Sequence, residues 1–256
     1  MTRAASMLLS VENVGHAFGG FQVLSSVSFD IPRGGLVGLI GPNGSGKTTL
    51  FNIISGFIHP LAGKVVFDQH SLDKSSNVVQ RSRQGLVRTF QTPKVFNHLT
   101  VLENVMVGLY KCSRGGVLAS MFRLPLARRE MRRMQEQAAA ACDEFGLGGV
   151  KLRRAGSLTA GARRNVELAR AVVSTPHLLM MDEPSSGLAK EEVDLLREHL
   201  HRINRSGLAI LLVSHDMDLM SMVNRVNVLS AGEIIAAGTM VQMHQHPQVQ
   251  QVYLGL

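Results

Sequence analysis

Tryptophan is absent from this 256-residue chain, tyrosine occurs twice, and aromatic residues make up only 5%. Proteins that hold single-stranded nucleic acid by stacking its bases need aromatic platforms, so the composition speaks against that class. Cysteine is nearly absent as well: Cys112 and Cys142 are the only two. Two thiols in a chain of this length make no disulfide framework, and both are expected to be free in a reducing compartment. No apolar run approaches the roughly 18–20 residues that crossing a bilayer takes. The start of the chain shows no charged, then apolar, then small-residue pattern of a secretory leader. Histidine and cysteine are nowhere spaced as metal ligands, so no protein-built transition-metal site is expected. Internal repeats and low-complexity tracts are also lacking.

Against these absences stands a net charge of +8. It suits an acidic partner: nucleic acid, anionic lipid or another protein. The arginines gather at Arg128-Arg129, Arg132-Arg133, Arg153-Arg154 and Arg163-Arg164, and read as solvated faces. The basic stretch around Arg114, Arg123, Arg128 and Arg129 reads either as a solvated helix face or as a surface near lipid headgroups or a membrane partner.

The most specific local signal is Gly41-Pro42-Asn43-Gly44-Ser45-Gly46-Lys47-Thr48, a complete G-x-x-x-x-G-K-[ST] phosphate loop. It follows the apolar Leu36–Ile40 and precedes a helix-like stretch from Thr48 to Ser55, the strand–loop–helix frame the motif requires. Glycines let backbone N–H groups turn in on phosphate oxygens, and the following helix aims its positive dipole end at the same anion. Lys47 can reach the β- and γ-phosphates, and the Thr48 hydroxyl can ligate Mg²⁺. The chain is expected to bind a nucleoside triphosphate through Gly41–Thr48 and the adjoining Thr49.

Along the rest of the chain, Leu8–Val14, Val27–Ile31 and Lys64–Phe67 read as strands, and Val87–Gln91 as extended up to Pro93. Thr100 and Glu103 form a capping box opening a helix toward Val107. A longer helix from about Arg128 to Phe145 stops at Gly146, its methionines forming a core stripe. Another helix runs from Gly161 to about Ser174. The continuous apolar runs Leu178–Met181 and Ala209–Val213 fit a parallel sheet covered on both faces. Lys190–Asn204 is an amphipathic helix, Val226–Leu229 with Glu233–Ala236 a hairpin, and the tail is helical around Thr239–His244 and after Pro247. The pattern gives an α/β nucleotide-binding core with a helical subdomain, with boundaries near Val95 and Ser174.

Asp182 and Glu183 follow a buried strand, at the edge of a parallel sheet where ligands bind. Asp182 can hold Mg²⁺ through a water, and Glu183 can take a proton from attacking water. His215, just past a second buried strand, can donate to the γ-phosphate. The remaining histidines, including His16, His59, His70 and His98, read as surface or loop residues.

The order Gly41–Thr48, Arg88-Thr89-Phe90-Gln91, Ser157-Leu158-Thr159-Ala160-Gly161, Leu178–Pro184, His215 resembles the ATP-binding-cassette (ABC) ATPases over nearly the whole chain. Phe18-Gly19-Gly20-Phe21, Ser214–Met217 and the ending Val252–Gly255 are similar to the ATPase subunits of branched-chain amino-acid importers, in particular the larger of the two. The resemblance implies a P-loop NTPase fold: one ABC nucleotide-binding domain with an antiparallel β subdomain and an α-helical subdomain. Its core would comprise 1–94 and 175–256, its helical part 95–174. It implies ATP and Mg²⁺ as ligands. Phe18 would stack on adenine, Gln91 would touch Mg²⁺ and the attacking water, and Ser157, Thr159 and Gly161 would contact the γ-phosphate held by a facing subunit. The implied partners are a second ATPase subunit in a heterodimer, two transmembrane permease subunits and, indirectly, a substrate-binding protein; nucleic acid is not among them. The implied location is peripheral, on the cytoplasmic face of the inner membrane.

Two departures stand out. The usual Leu-Ser-Gly-Gly-Gln signature reads Leu158-Thr159-Ala160-Gly161-Ala162, and the loop after Glu183 ends in Ala189 where an acidic or amide residue is usual. Both touch contacts between subunits, so the site completed by this signature loop is expected to turn over more slowly. A soluble cassette ATPase acting on nucleic acid or ribosomes, an iron–sulfur scaffold ATPase, and an importer of urea, amides or other small solutes are the other functions open at this point.

Overall fold

Alternation of buried and exposed residues over 26–31 marks the second strand of the first layer. The computed structural model describes residues 7–72, 75–110 and 125–254. Strands β1 (Met7–Phe18) and β2 (Phe21–Pro32) pair antiparallel, and along β2 Val27, Phe29 and Ile31 turn inward while Ser26, Ser28 and Asp30 face out. The next elements are β3 (Leu36–Ile40), α1 (Lys47–Ser55), β4 (Ala62–Phe67), β5 (His70–Ser71), α2 (Val78–Arg83), β6 (Leu86–Arg88), α3 (Val101–Val107) and α4 (Pro125–Glu144). After them come α5 (Ala160–Val172), β7 (Leu178–Asp182), α6 (Lys190–Arg205), β8 (Ala209–Val213) and α7 (Met217–Met220). The hairpin β9 (Arg225–Ser230) and β10 (Glu233–Gly238) and the helices α8 (Met240–Gln245) and α9 (Pro247–Leu254) complete the order.

Two sheets result. One is antiparallel in the order β2-β1-β4-β5; the other runs β10-β9-β3-β8-β7-β6, parallel except for the β9–β10 pair. Successive side chains of a strand point to opposite faces, and the two cores divide along that line. Leu178, Met180, Leu211 and Val213 join Leu9, Val27, Phe51 and Ile54 on one face. Leu179, Met181, Ile210 and Leu212 join Val105, Ala138, Phe145 and Val166 from the helices on the other. Burial of this kind contributes about 1.5–3 kcal/mol per large aliphatic side chain. It explains why these strands read as unbroken apolar runs.

Most elements lie where the sequence places them, including the Thr100–Glu103 capping box on α3 and the α4 helix ending before Gly146 at φ +69°. Three expectations are corrected. His16 and His199 are buried, at 8% and 4% exposure, rather than surface residues. His199 lies on the inner face of α6 against the Phe145 ring, 4.9 Å between centroids, and its Nδ1 accepts from Arg202 Nη2 at 2.8 Å. Arg164 is 1% exposed rather than part of a solvated cluster; helix α5 turns it inward. The extended segment ends sooner than Gln91: after Arg88 only the Thr89 N–H continues the ladder, to Met180 O at 2.9 Å. The sequence reading also passed over α2, whose buried Arg81 donates to Ile53 O (2.6 Å) and Ile54 O (2.9 Å), satisfying carbonyls at the end of α1. Cys142 is free and buried, and burial pushes its thiol up to about 11. Cys112, the Lys111–Arg123 stretch and Gly255 lie outside the described residues.

Burial, and then the Arg202 cation, lower the His199 pKa from 6.5 to about 4. An imidazole kept neutral in the fold but free to protonate when unfolded contributes stability above the unfolded pKa, lost as the pH falls through the folded one. Stability is therefore expected to decline from pH about 6.5 toward about 4 by a component that His199→Gln removes. Urea midpoints across that range check this; parallel curves for the parent and the variant would contradict it.

Candidate functional site

The carboxyl ends of β3, β6, β7 and β8 lie along one edge of the parallel sheet, because Leu39 pairs with Val213, Asp182 with Val213, and Arg88 with Met180. Whatever follows each strand is therefore delivered to the same place. After β3 comes the phosphate loop. A Cβ on Gly41 would fall 2.1 Å from Leu229 O, and one on Gly46, at φ +104°, would fall 2.6 Å from Leu24 Cδ2. Only glycine lets the loop pass there. Helix α1 starts at Lys47 with no side-chain cap, leaving first-turn N–H groups to an incoming acceptor. The Lys47 ammonium donates to Gly41 O at 2.7 Å and Pro42 O at 2.9 Å. Burial lowers its pKa, and the nearby Glu183 and Asp182 carboxylates oppose that shift.

Facing it, Asp182 ends β7 and Glu183 begins the loop beyond. Glu183 sits at φ +47°, an uncommon conformation for a residue with a side chain. Its N–H donates to Val213 O at 2.8 Å, and its Oε2 accepts the His215 N–H at 3.2 Å. The His215 Nε2 lies 3.2 Å from Glu183 Oε1. The bent backbone thus turns the carboxylate back over the end of β8 instead of into solvent. Asp182 is gripped from behind: Arg88 Nη2 donates to its Oδ2 at 3.1 Å, while Arg88 Nη1 donates to Asn52 Oδ1 at 2.6 Å. The same guanidinium stands 5.4 Å from the Phe51 ring centre and 5.3 Å from that of Phe90.

A cleft of about 550 Å³ lies between these walls. It brings together Asn43, Gly44, Ser45, Gly46, Lys47, Thr48 and Thr49 with Gln91, Asp182, Glu183 and His215, and adds Val23 and Ser186. Gly41 and Pro42 take part through the carbonyls that hold Lys47. A cationic loop at a helix start fits a chain of phosphates. The opposite donors (the Thr48 hydroxyl, the Gln91 amide, the Asp182 carboxylate) are all oxygen, the set a hard divalent cation prefers. Among the described residues no three His, Cys, Asp or Glu could hold a metal unaided. Mg²⁺ as a class takes few protein ligands and completes its shell from phosphate and water.

Several other residues singled out from the sequence lie outside the cleft. Ser157, Thr159 and Gly161 line a separate cavity of about 350 Å³ at the start of α5. There the Thr159 Oγ1 accepts the Ala162 N–H at 3.2 Å, capping the helix. Gly161 lies under Glu192, whose Oε1 would be 2.1 Å from a Cβ. Phe18 is half-exposed at the β1–β2 turn with its ring edge against His16. Ala189 offers α6 no side-chain cap, although its N–H reaches Glu192 Oε2 at 3.1 Å.

Sequence reasoning missed Arg88 as the holder of Asp182, and missed Arg164 and Glu167, which grip the backbone around Gln91. The signal for Arg88 was a cation on an otherwise apolar strand; nothing but the fold links Arg164 to Gln91.

Comparison with known proteins bears directly on this arrangement. Residues 24–186 match the family described as ABC transporter. The chain is 35% identical over 250 residues to the high-affinity branched-chain amino acid transport ATP-binding protein LivG of Salmonella typhimurium, covering 97% of this chain and 98% of that one. It is 34% identical over 250 residues to the corresponding protein BraF of Pseudomonas aeruginosa, with the same coverage. Among solved structures, a nucleotide-free ATP-binding cassette from an ABC transporter superimposes with a TM-score of 0.84 at 31% identity, covering 98% of this chain and 100% of that one. The ADP conformation of MJ1267, an ATP-binding cassette of an ABC transporter, gives 0.83 at 30% identity.

Arg88 and Asp182 form a largely buried pair, 7% and 17% exposed, and removing one partner of such a pair leaves the other charge uncompensated. Arg88→Ala is expected to destabilise the protein by about 3 kcal/mol, measured by denaturant unfolding. A change within about 0.5 kcal/mol, the scatter of surface substitutions, would show that the pair is not held as described.

Proposed function

The chain belongs to the ABC transporter family and is an ATPase; from that premise we propose that it powers an importer of branched-chain amino acids, using the cleft around Lys47 and Glu183. The observation that carries the proposal is the meeting of a phosphate loop with Gln91, Asp182, Glu183 and His215 in one cleft of about 550 Å³. The substrate class rests on the names of the relatives alone.

In this reading Lys47 leaves its carbonyl partners for the β- and γ-phosphates, and the first-turn N–H groups of α1 bind the same oxygens. Thr48, Gln91 and, through water, Asp182 would hold Mg²⁺, which supplies charge neutralisation on the phosphate oxygens. Glu183 accepts the proton of the attacking water. His215 donates to the γ-phosphate and, through its backbone N–H, keeps the Glu183 carboxylate turned toward the cleft. Phe18 stacks on the adenine. The core (1–94 and 175–256) carries all of these, and the helical part (95–174) carries the signature loop.

Ser157, Thr159 and Gly161, which line a cavity apart from the cleft, would on the family resemblance contact the γ-phosphate held by a facing subunit, a second ATPase subunit that closes over this one. The assembly is read as a heterodimer on the cytoplasmic side of two membrane permease subunits, fed by a substrate-binding protein. Among the described residues no helix is long and apolar enough to cross a membrane. The nucleic-acid alternative gains nothing from the relatives.

Glu183→Gln is expected to lower ATP turnover at least 100-fold, the scale of a lost general base, with ATP still bound; turnover at the parental rate would remove Glu183 from the role. Lys47→Ala is expected to abolish ATP retention, measured by equilibrium binding with magnesium present. In the assembled heterodimer, Ala162→Gln should raise the rate of the slower site about tenfold, since one hydrogen bond to a charged group is worth about 1.5–3 kcal/mol. An unchanged rate would show that the missing amide costs nothing.

A further inference from the structure

Four methionines surround one cavity of about 260 Å³ between the loop after β8 and the two C-terminal helices. Met217, Met220, Met240 and Met243 line it together with His215 and His244. Each pair is spaced three residues apart, Met217 and Met220 on α7 and Met240 and Met243 on α8, which keeps its two side chains on one helix face. The walls are fixed by their own hydrogen bonds. Asp216 Oδ1 accepts the Asp218 N–H at 2.9 Å and the Leu219 N–H at 3.1 Å at the start of α7. Thr239 and Gln242 close a capping box on α8, and Gln250 Nε2 ties α9 to it by donating to His244 O at 2.8 Å.

Each pair has an inner and an outer sulfur. Met220 and Met243 are buried, and their methyl groups press on glycines. A Cβ on Gly38 would fall 2.4 Å from Met220 Cε, and one on Gly238 would fall 3.0 Å from Met243 Cε. Met217, by contrast, is 51% exposed, and Met240 is half-buried. Leucine fills such space with similar stability but carries no sulfur to oxidise. A methionine sulfoxide is polar, and its oxygen brings a hydrogen-bond acceptor into an otherwise apolar wall. The His215 and His244 imidazoles line the same cavity and are donors within its reach. His215 Nε2 stands 3.2 Å from Glu183 Oε1, so a sulfoxide oxygen beside the ring competes with that carboxylate for it.

We propose that Met217 and Met240 form a reversible oxidation site for peroxides, whose sulfoxides slow ATP turnover by drawing His215 away from Glu183 and the γ-phosphate. The sulfur lone pair attacks one peroxide oxygen, and the S–O bond forms as the O–O bond breaks. The sulfur gives up two electrons, and the departing hydroxide takes the remaining proton to leave as water. The effect on turnover rests on the importer-ATPase reading above; the oxidation itself does not.

The test treats the complete transporter, reconstituted with its membrane subunits, with hydrogen peroxide, following sulfoxide at each methionine by peptide mass mapping beside ATP turnover. Met217 and Met240 are expected to gain oxygen before the buried Met220, Met243, Met180 and Met181. Turnover should fall about threefold or more, the scale of one diverted hydrogen bond. Methionine sulfoxide reductases for both epimers should restore mass and turnover together. The double variant Met217→Leu with Met240→Leu should keep the parental turnover through the same treatment. Met131→Leu, at an exposed position that lines neither this cavity nor the cleft, should lose turnover as the parent does. Oxidation of Met217 and Met240 no earlier than that of the buried methionines would overturn the proposal. Full sulfoxide at both with unchanged turnover, or a double variant as sensitive as the parent, would do the same. Should the double variant not assemble, the parental time course decides: a loss that follows Met217 and Met240 sulfoxide supports the site, and one that follows Met7 or Met131 overturns it. An untreated complex that hydrolyses no ATP would refute the importer-ATPase reading instead, while the order of oxidation would still decide whether the site exists.

Discussion

The level pairing of the parallel strands is the constraint on which everything else rests. Leu178 through Asp182 run beside Ala209 through Val213 without a shift, and Leu36 through Leu39 run beside Ile210 through Val213 in the same way. A slip of one residue would reverse every side chain between the two cores. Leu179 and Met181 would then face the layer that now receives Leu178 and Met180. Because both faces are covered by apolar residues of different elements, the register is held from both sides. Three chain segments distant in sequence are thereby cut off at one height, and the groups that follow them meet.

What gathers at that height is a balance of charge. Lys47, Asp182 and Glu183 line the cleft, and a second cation, Arg88, backs Asp182 from outside it. Arg88 is spent on Asp182 and lies behind it, closed in by Phe51 and Phe90. Lys47 remains bound only to carbonyls of its own loop, neutral acceptors that an anionic ligand can replace. One cation is structural and the other exchangeable, and burial lowers the pKa of each. A phosphate chain would give Lys47 the full opposite charge that its loop carbonyls lack.

The sequence displayed the fold wherever periodicity was uninterrupted. The buried strands, the long amphipathic helices and the Thr100 cap were all legible because each is a local pattern with one physical solution. The cleft was legible where a motif carries its own geometry, as at Gly41–Thr48, or where a polar group ends an apolar strand, as at Asp182 and His215. Side chains defined by distant partners were not legible. His199 sits on a helix between Glu198 and Leu200, and only the approach of the end of α4 to α6 reveals Phe145 beside it. Arg164 follows another arginine, and its partners are carbonyls more than seventy positions earlier. The short α2 carries too few residues for a period to emerge, and its value lies in Arg81 reaching back to α1.

The backbone of Glu183 carries a further consequence. Left-handed torsions at a residue with a side chain raise the energy of the native state, by about 1–3 kcal/mol for strained conformers in general. Glycine or asparagine at that position would adopt the same bend more comfortably. An unbiased search for heat-resistant variants would therefore be drawn to replace the one carboxylate that the bend exists to aim. In the role proposed for Glu183, durability and turnover pull this single peptide unit in opposite directions, and a locally weaker chain accompanies a carboxylate held in one orientation.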